Sequence, residues 1–274
     1  MSTPKYKLLV LTDLSKACNI ALENAVNLSK TIGGSIDVFH VMKSSDIAEY
    51  ENQFSTMRSI DEERVNKKSQ LKEIAKEIAE KSNITIRTHC ILGNLKDEAT
   101  EYIEAVNPDI IVLGKRTKKL ANFLGDGFTK FILNSFEGSV LISGKEKALQ
   151  PSEGMSLGML NTTVDELPAV ITNDLRKNNK SPMKRFHIRN EKEQMVQEAN
   201  AENVITYEFE NDSNTMNNIA KYVAKNNIGL LCINPHEKKS SGPLFNIQSN
   251  IKEVIQKINA PILIINNKSS IQLQ

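Results

Sequence analysis

Two short stretches carry residue types that could hold a phosphate. Gly114-Lys115-Arg116-Thr117 follows the apolar run Asp109–Leu113, and Gly125-Asp126-Gly127 precedes a helical pattern that starts at Phe128. Glycines beside a helix N-terminus let backbone N–H groups approach phosphate oxygens, and the helix dipole favours the negative charge. The run KRTKK from Lys115 to Lys119 adds local positive charge. Thr12-Asp13 offers a hydroxyl and a carboxylate where another apolar run ends. In open parallel sheets ligands bind beyond the carboxyl ends of strands, so chemistry is expected at these positions. A plainer reading stands beside each one. Asp13 could form an Asx turn ahead of the helix-capping Ser15, the two glycines could make tight turns, and KRTKK could be a solvated loop.

The remaining candidates are weaker. Cys18, Cys90 and Cys232 lie far apart with no CxxC pair, which argues against a disulfide framework or cysteine zinc site and suits a reducing compartment. His89 adjoins Cys90, but neighbours on a strand point to opposite faces and cannot share a metal. Cys18 and Cys232 read as small core residues. His236 is a lone loop histidine. No Cys–His–Asp or Ser–His–Asp arrangement follows from the spacing.

The elements that must position these residues alternate along the chain. Lys7–Leu11 reads as a strand buried on both faces. Ala17, Ile20, Ala21, Leu22, Ala25 and Leu28 mark a helix face that Gly33-Gly34 ends. Strands at 35–41, 84–92, 109–113 and 139–143 alternate with helices over 71–79, 96–106 and 128–136; the charged segment up to about residue 67 carries no clear pattern. Lys145–Gly154 is a polar linker with Pro and Gly. The alternation then restarts, with strands at 156–160, 183–188, 204–209, 229–233 and 261–265 and helices at 165–175, 191–199, 215–225 and 247–258. Such alternation implies βαβ units, a mostly parallel sheet and right-handed crossovers. YIEAVNPDIIVLGK from Tyr102 aligns without a gap with YVAKNNIGLLCINP from Tyr222. Phe39-His40-Val41 matches Phe186-His187-Ile188, and Asp13 falls opposite Asn161. Three matches in the same order favour an internal duplication, with two unrelated α/β domains as the alternative.

The 274 residues exceed one typical domain, and 39% hydrophobic with 25% charged residues is ordinary globular composition. A net charge of +2 gives no basic field for nucleic acid, and the absence of Trp leaves no stacking platform of that kind. Leu8–Leu11 is too short for a signal peptide or a membrane span, so a soluble, cytoplasmic protein without membrane contact is expected.

The residues quoted so far resemble the universal stress protein family in its tandem form. LVLTDLS at the first strand, FHV at the second, and the stretch from DIIVLGKR through LGDGFTKFIL to SVLIS carry the resemblance. It covers residues 5 to 144 closely and 155 to 267 more faintly. It implies two tandem Rossmann-like domains, over 1–146 and 155–274, each a five-stranded parallel sheet of order 3-2-1-4-5 flanked by helices. Nucleotide-binding members carry G-x-x-G, nine residues, then G followed by Ser or Thr. Here Gly114 and Gly127 are kept, Thr117 replaces the middle glycine, and Phe128 stands at the hydroxyl position with Thr129 next to it. The resemblance implies a nucleotide site at Thr12, Asp13, Val41, Gly114, Arg116, Thr117, Gly127, Phe128 and Thr129, with ATP and its Mg²⁺ as ligand.

The second half replaces Asp13 with Asn161, Gly114 with Asn234 and a loop position with Pro235, keeping only Ser249 as a terminal hydroxyl. It is expected to pack as a dimer-mimicking partner through strands 139–143 and 261–265, with no second nucleotide site. The implied function is a non-catalytic stress-response protein with ATP in its first half. An ATP-hydrolysing enzyme and an interaction protein with both sites lost are the alternatives; the sequence names no protein partner. On this reading Gly114→Val abolishes binding and Phe128→Ser strengthens it.

Overall fold

The computed structural model describes residues 4–43, 53–115, 126–144, 149, 155–177, 181–189, 203–235 and 247–266. The helix expected at 191–199, most of the linker, Arg116, Thr117, Gly125 and His236 lie outside the described residues.

The first half contains β1 (Tyr6–Thr12), α1 (Lys16–Ile32), β2 (Gly34–Met42), α2 (Gln53–Ser82), β3 (Ile86–Leu92), α3 (Leu95–Val106), β4 (Ile110–Leu113), α4 (Asp126–Ser135) and β5 (Ser139–Ile142). The second contains β6 (Leu157–Leu160), α5 (Ala169–Lys177), β7 (Met183–Arg189), β8 (Val204–Glu210), α6 (Thr215–Lys225), β9 (Leu230–Ile233), α7 (Ile247–Lys257) and β10 (Ile262–Ile264). The fold is α/β, with strand order 3-2-1-4-5 in each half as expected. The two sets join into one ten-stranded sheet, β3-β2-β1-β4-β5-β10-β9-β6-β7-β8. Every pairing is parallel except the central one, where Ile262 faces Ile142 and Ile264 faces Val140 antiparallel. The edges of β5 and β10 therefore cover each other.

The central strands are apolar throughout because helices cover both faces. Leu9, Leu11, Ile111, Leu113, Ile142, Ile262 and Ile264 point to the side covered by α3, α4, α6 and α7. Leu8, Val10, Val112, Leu141 and Leu263 point to the side covered by α1, α2 and α5. Each core layer thus runs unbroken across the β5–β10 seam.

Two elements start elsewhere than the sequence suggests. α2 begins at Gln53 and runs 30 residues. Among the described side chains its buried apolar face starts at Leu71, and the Glu63–Lys67 pair at 3.5 Å lies ahead of it. That i,i+4 pair supports the helix ahead of the stretch 71–79 read from hydrophobic periodicity. In the second half, α5 begins at Ala169 rather than Asp165. Pro168 disfavours helical backbone in the residue before it, so helix cannot run through Leu167.

Among the described residues, four sets of polar contacts tie the second half or the linker to the first half. Lys5 on the approach to β1 donates to Asp174 on α5, and the Tyr6 hydroxyl reaches the same carboxylate at 2.7 Å. Asn24 and Asn27 on α1 grip both backbone groups of Leu149, at 2.7 and 2.5 Å. The Asn266 amide donates to the carbonyl of Gly138 at 2.9 Å. The fourth, from Lys115, belongs to the site below.

Candidate functional site

β1 ends in a compact polar turn. Thr12 is buried and its carbonyl lies 2.8 Å from Nδ1 of His40 on β2. The Thr12 hydroxyl accepts the Leu14 N–H at 3.0 Å, and Asp13 Oδ1 accepts the Ser15 N–H at 3.0 Å. Leu14 carries the positive φ of 62° that this turn requires. Asp13 Oδ1 also accepts the Cys18 thiol at 3.0 Å. Burial pushes the Cys18 thiol up, which keeps it a protonated donor to the carboxylate. The turn reading of Asp13 is thus realised: one of its oxygens builds the entry into α1.

The end of β4 departs from the expected chemistry at two residues. A Cβ on Gly114 would lie 2.9 Å from the Ala17 carbonyl oxygen and 3.2 Å from the Cys18 nitrogen. This glycine is required by the first turn of α1 packing onto the strand, and Gly114→Val would displace α1 rather than fill ligand space. Lys115 is buried, its N–H donating to the Ser143 hydroxyl at 3.1 Å and its ammonium to the carbonyl of Ile258. Ile258 follows the last residue of α7, where helix carbonyls and dipole both favour a cation. Lys115, expected beside a phosphate, instead anchors the second half.

At the start of α4, Gly127 is exposed and a Cβ there would meet nothing within 4 Å. The first four N–H groups of a helix lack intrahelical partners, and at this end they include those of Gly127, Phe128 and Thr129. The Phe128 side chain is buried and packs in the core beside Ile132 and Phe131. Phe128→Ser would therefore empty a core position and not place a hydroxyl at a ligand, which corrects the sequence expectation. Val41 likewise buries its side chain. The Met42 carbonyl accepts the Gly93 N–H on the β3 side, so alternation turns the backbone groups of Val41 toward β1, whose ladder ends at Thr12–His40. The structure brings Thr12, Asp13, Val41 and Gly114 together at the carboxyl ends of β1, β2 and β4.

The corresponding end of the second half is filled by its own side chains. Asn161, at φ 49°, accepts the Ile188 N–H on Oδ1 at 3.2 Å. Glu166 Oε2 takes the Thr163 N–H at 2.8 Å and the Thr162 hydroxyl at 3.2 Å, while the Asn234 amide donates to the Glu166 carbonyl at 2.8 Å. Asn161, Thr162 and Asn234 are all buried. Sequence reasoning noted the substitutions Asn161 and Asn234 but not Glu166, whose spacing from Thr163 is the capping-box signal that could have shown it.

Aromatic clusters also stand in matching register. Phe39 pairs with His89 across β2–β3 and stacks on Tyr102 at 4.2 Å; Phe186 pairs with Tyr207 across β7–β8, and Tyr222 lies 5.6 Å from Tyr207. Among the described residues, no three His, Cys, Asp or Glu side chains come together to hold a metal ion. No described helix is long and apolar enough to cross a membrane.

Two halves, each with parallel strands in the order 3-2-1-4-5 and helices on both faces, define a Rossmann-like class of α/β protein. The sequence profile of the Universal stress protein family matches residues 6–143, and the chain belongs to that family. A universal stress protein from Archaeoglobus fulgidus DSM 4304 superposes with a TM-score of 0.66 at 16% identity, covering 95% of this chain and 98% of that one. A functionally unknown protein from Pseudomonas aeruginosa PAO1 superposes at 0.56 with 14% identity, covering 95% and 92%. These likenesses establish the fold along nearly the whole chain. No curated protein matches the sequence.

Proposed function

We propose that this chain is a non-catalytic stress-response protein whose first half takes one adenine nucleotide, ATP with its Mg²⁺, while its second half serves as a built-in dimer partner. The observation that carries this is the contrast between the two sets of strand ends. In the first half, open space at Gly127 adjoins the N–H groups that begin α4. In the second, Asn161, Glu166 and Asn234 tie up the strand ends that correspond to Asp13 and Gly114. The matched strand orders and aromatic clusters support two domains, 1–146 and 155–274, related by duplication. The antiparallel β5–β10 seam is the contact such a pseudo-dimer needs. Mg²⁺ would enter with the phosphates. With Lys115 turned to Ile258, affinity is expected to be modest.

A second reading, an interaction protein without a nucleotide, is favoured by the internal use of Asp13 and Lys115. Calorimetric titration of the full chain with Mg·ATP, with phosphate release followed in parallel, separates the readings. One saturable site per chain without turnover is expected. Absence of saturation leaves the interaction reading, steady phosphate release the enzyme reading, and two sites per chain would overturn the asymmetry.

A further inference from the structure

Residues 175–190, LRKNNKSPMKRFHIRN, contain Arg176, Lys177, Lys180, Lys184, Arg185 and Arg189 and no acidic residue, in a chain of net charge only +2. Between the end of α5 and the start of β7 lies an open cavity of about 470 Å³, lined among the described residues by Asn173, Arg176, Lys177, Ser181, Met183 and Asn203. It lies at the amino ends of β7 and β8, the opposite edge of the sheet from the strand ends described above. Its volume falls within the range of small-molecule sites, yet among the described residues Met183 is its one apolar wall. Asn, Arg and Lys side chains surround the rest, so the lining offers donors rather than grease.

The charges nearby are mostly committed. Lys177 binds Asp174 Oδ1 at 2.9 Å and Lys184 donates to the Asn226 carbonyl at 3.2 Å. Asp174 is the acid closest in sequence, and its carboxylate already holds Lys5, Tyr6 and Lys177. Arg176 makes no hydrogen bond or ion pair among the described residues. The C-terminal end of α5 turns its negative pole toward this region, and Arg176 and Lys177 in the last turn offset it. A guanidinium fork with amide donors around it fits the planar or tetrahedral oxygens of an anion, and phosphate best.

We propose that this cavity binds a small phosphate-bearing anion, with Arg176 as its principal ligand and Asn173 and Asn203 donating around it. The proposal is independent of nucleotide binding at β1 and β4. Pyrophosphate is the probe: titration into the full chain at low salt, followed by calorimetry and by amide NMR shifts. Saturable binding that shifts the Ser181 and Asn203 amides is expected. Arg176→Gln should weaken it at least tenfold, and Asn173→Glu, which puts a like charge on the wall, should do the same with the thermal midpoint unchanged. Saturation absent at millimolar pyrophosphate would overturn the proposal. So would binding that both variants retain, or shifts confined to α4.

Discussion

Asn161 accepts the backbone N–H of Ile188 at 3.2 Å, with Asn161 itself in the left-handed region. Asparagine is one of few residues that supply both a short acceptor and tolerance of positive φ. Asn161→Gly keeps the backbone free but leaves a buried N–H unpaired, a loss of about 1–3 kcal/mol. Asn161→Ala adds about 1–2 kcal/mol of backbone strain to that loss. Urea unfolding should rank wild type above the glycine variant and the glycine variant above alanine. Equal midpoints for all three would show that neither bond nor strain matters there.

Lys115 provides the test of which half its ammonium serves. Lys115→Met removes the bond to the Ile258 carbonyl and should cost about 1–3 kcal/mol of stability. If Mg·ATP binds, its affinity should change less than twofold. A tenfold loss of affinity without loss of stability would place this lysine on the phosphates.

The two glycines separate packing from binding. Gly114→Ala pushes a methyl to 2.9 Å from the Ala17 carbonyl and should destabilise by about 1–3 kcal/mol. Gly127→Ala meets no atom and should stabilise by about 0.4–1 kcal/mol, since alanine suits a helix better. The same Gly127 methyl should weaken ATP at least tenfold if phosphate approaches α4. Denaturation and calorimetry on both variants check the opposite signs.

Asp174 gives a pH dependence. Burial pushes its carboxyl up, but hydrogen bonds from Lys5, Lys177 and Tyr6 outweigh this and hold it down to about 2. An unfolded Asp titrates near ~3.9, so this group binds protons more readily in the unfolded chain. Its contribution is complete above about pH 5 and fades as pH falls toward 2. Asp174→Asn should be less stable than wild type at pH 7, and the gap should close on acidification. A gap that stays constant from pH 7 to pH 2.5 would contradict the assignment.

Much of the sheet was legible before the structure. Central strands such as Leu8–Leu11 and Ile110–Leu113 are continuous apolar runs, and α6 begins and ends at the expected residues. The pairing of the last strands also follows from their exposed edges and apolar character. The N-terminal part of α2 was not legible, because residues 60–70 are mostly charged or polar and none of them is buried. The site was half legible. Spacing brought Thr12, Asp13 and Gly114 to one place, but gave no sign that Gly114 serves α1 or that Lys115 crosses to residue 258. Contacts 143 residues apart leave no periodic trace in a sequence. Phe128 was read by position in a motif when its type, large and apolar before Phe131 and Ile132, already pointed to the core.

The antiparallel seam between β5 and β10 changes what a substitution means. When two identical chains meet at such a seam, every replacement is made twice and must suit both copies at once. Here the two sides of the seam are different stretches of one polypeptide. A side chain such as Asn161 or Glu166 could close the strand ends on one side without closing them on the other. The continuous sheet keeps its geometry while its two sets of strand ends are free to diverge.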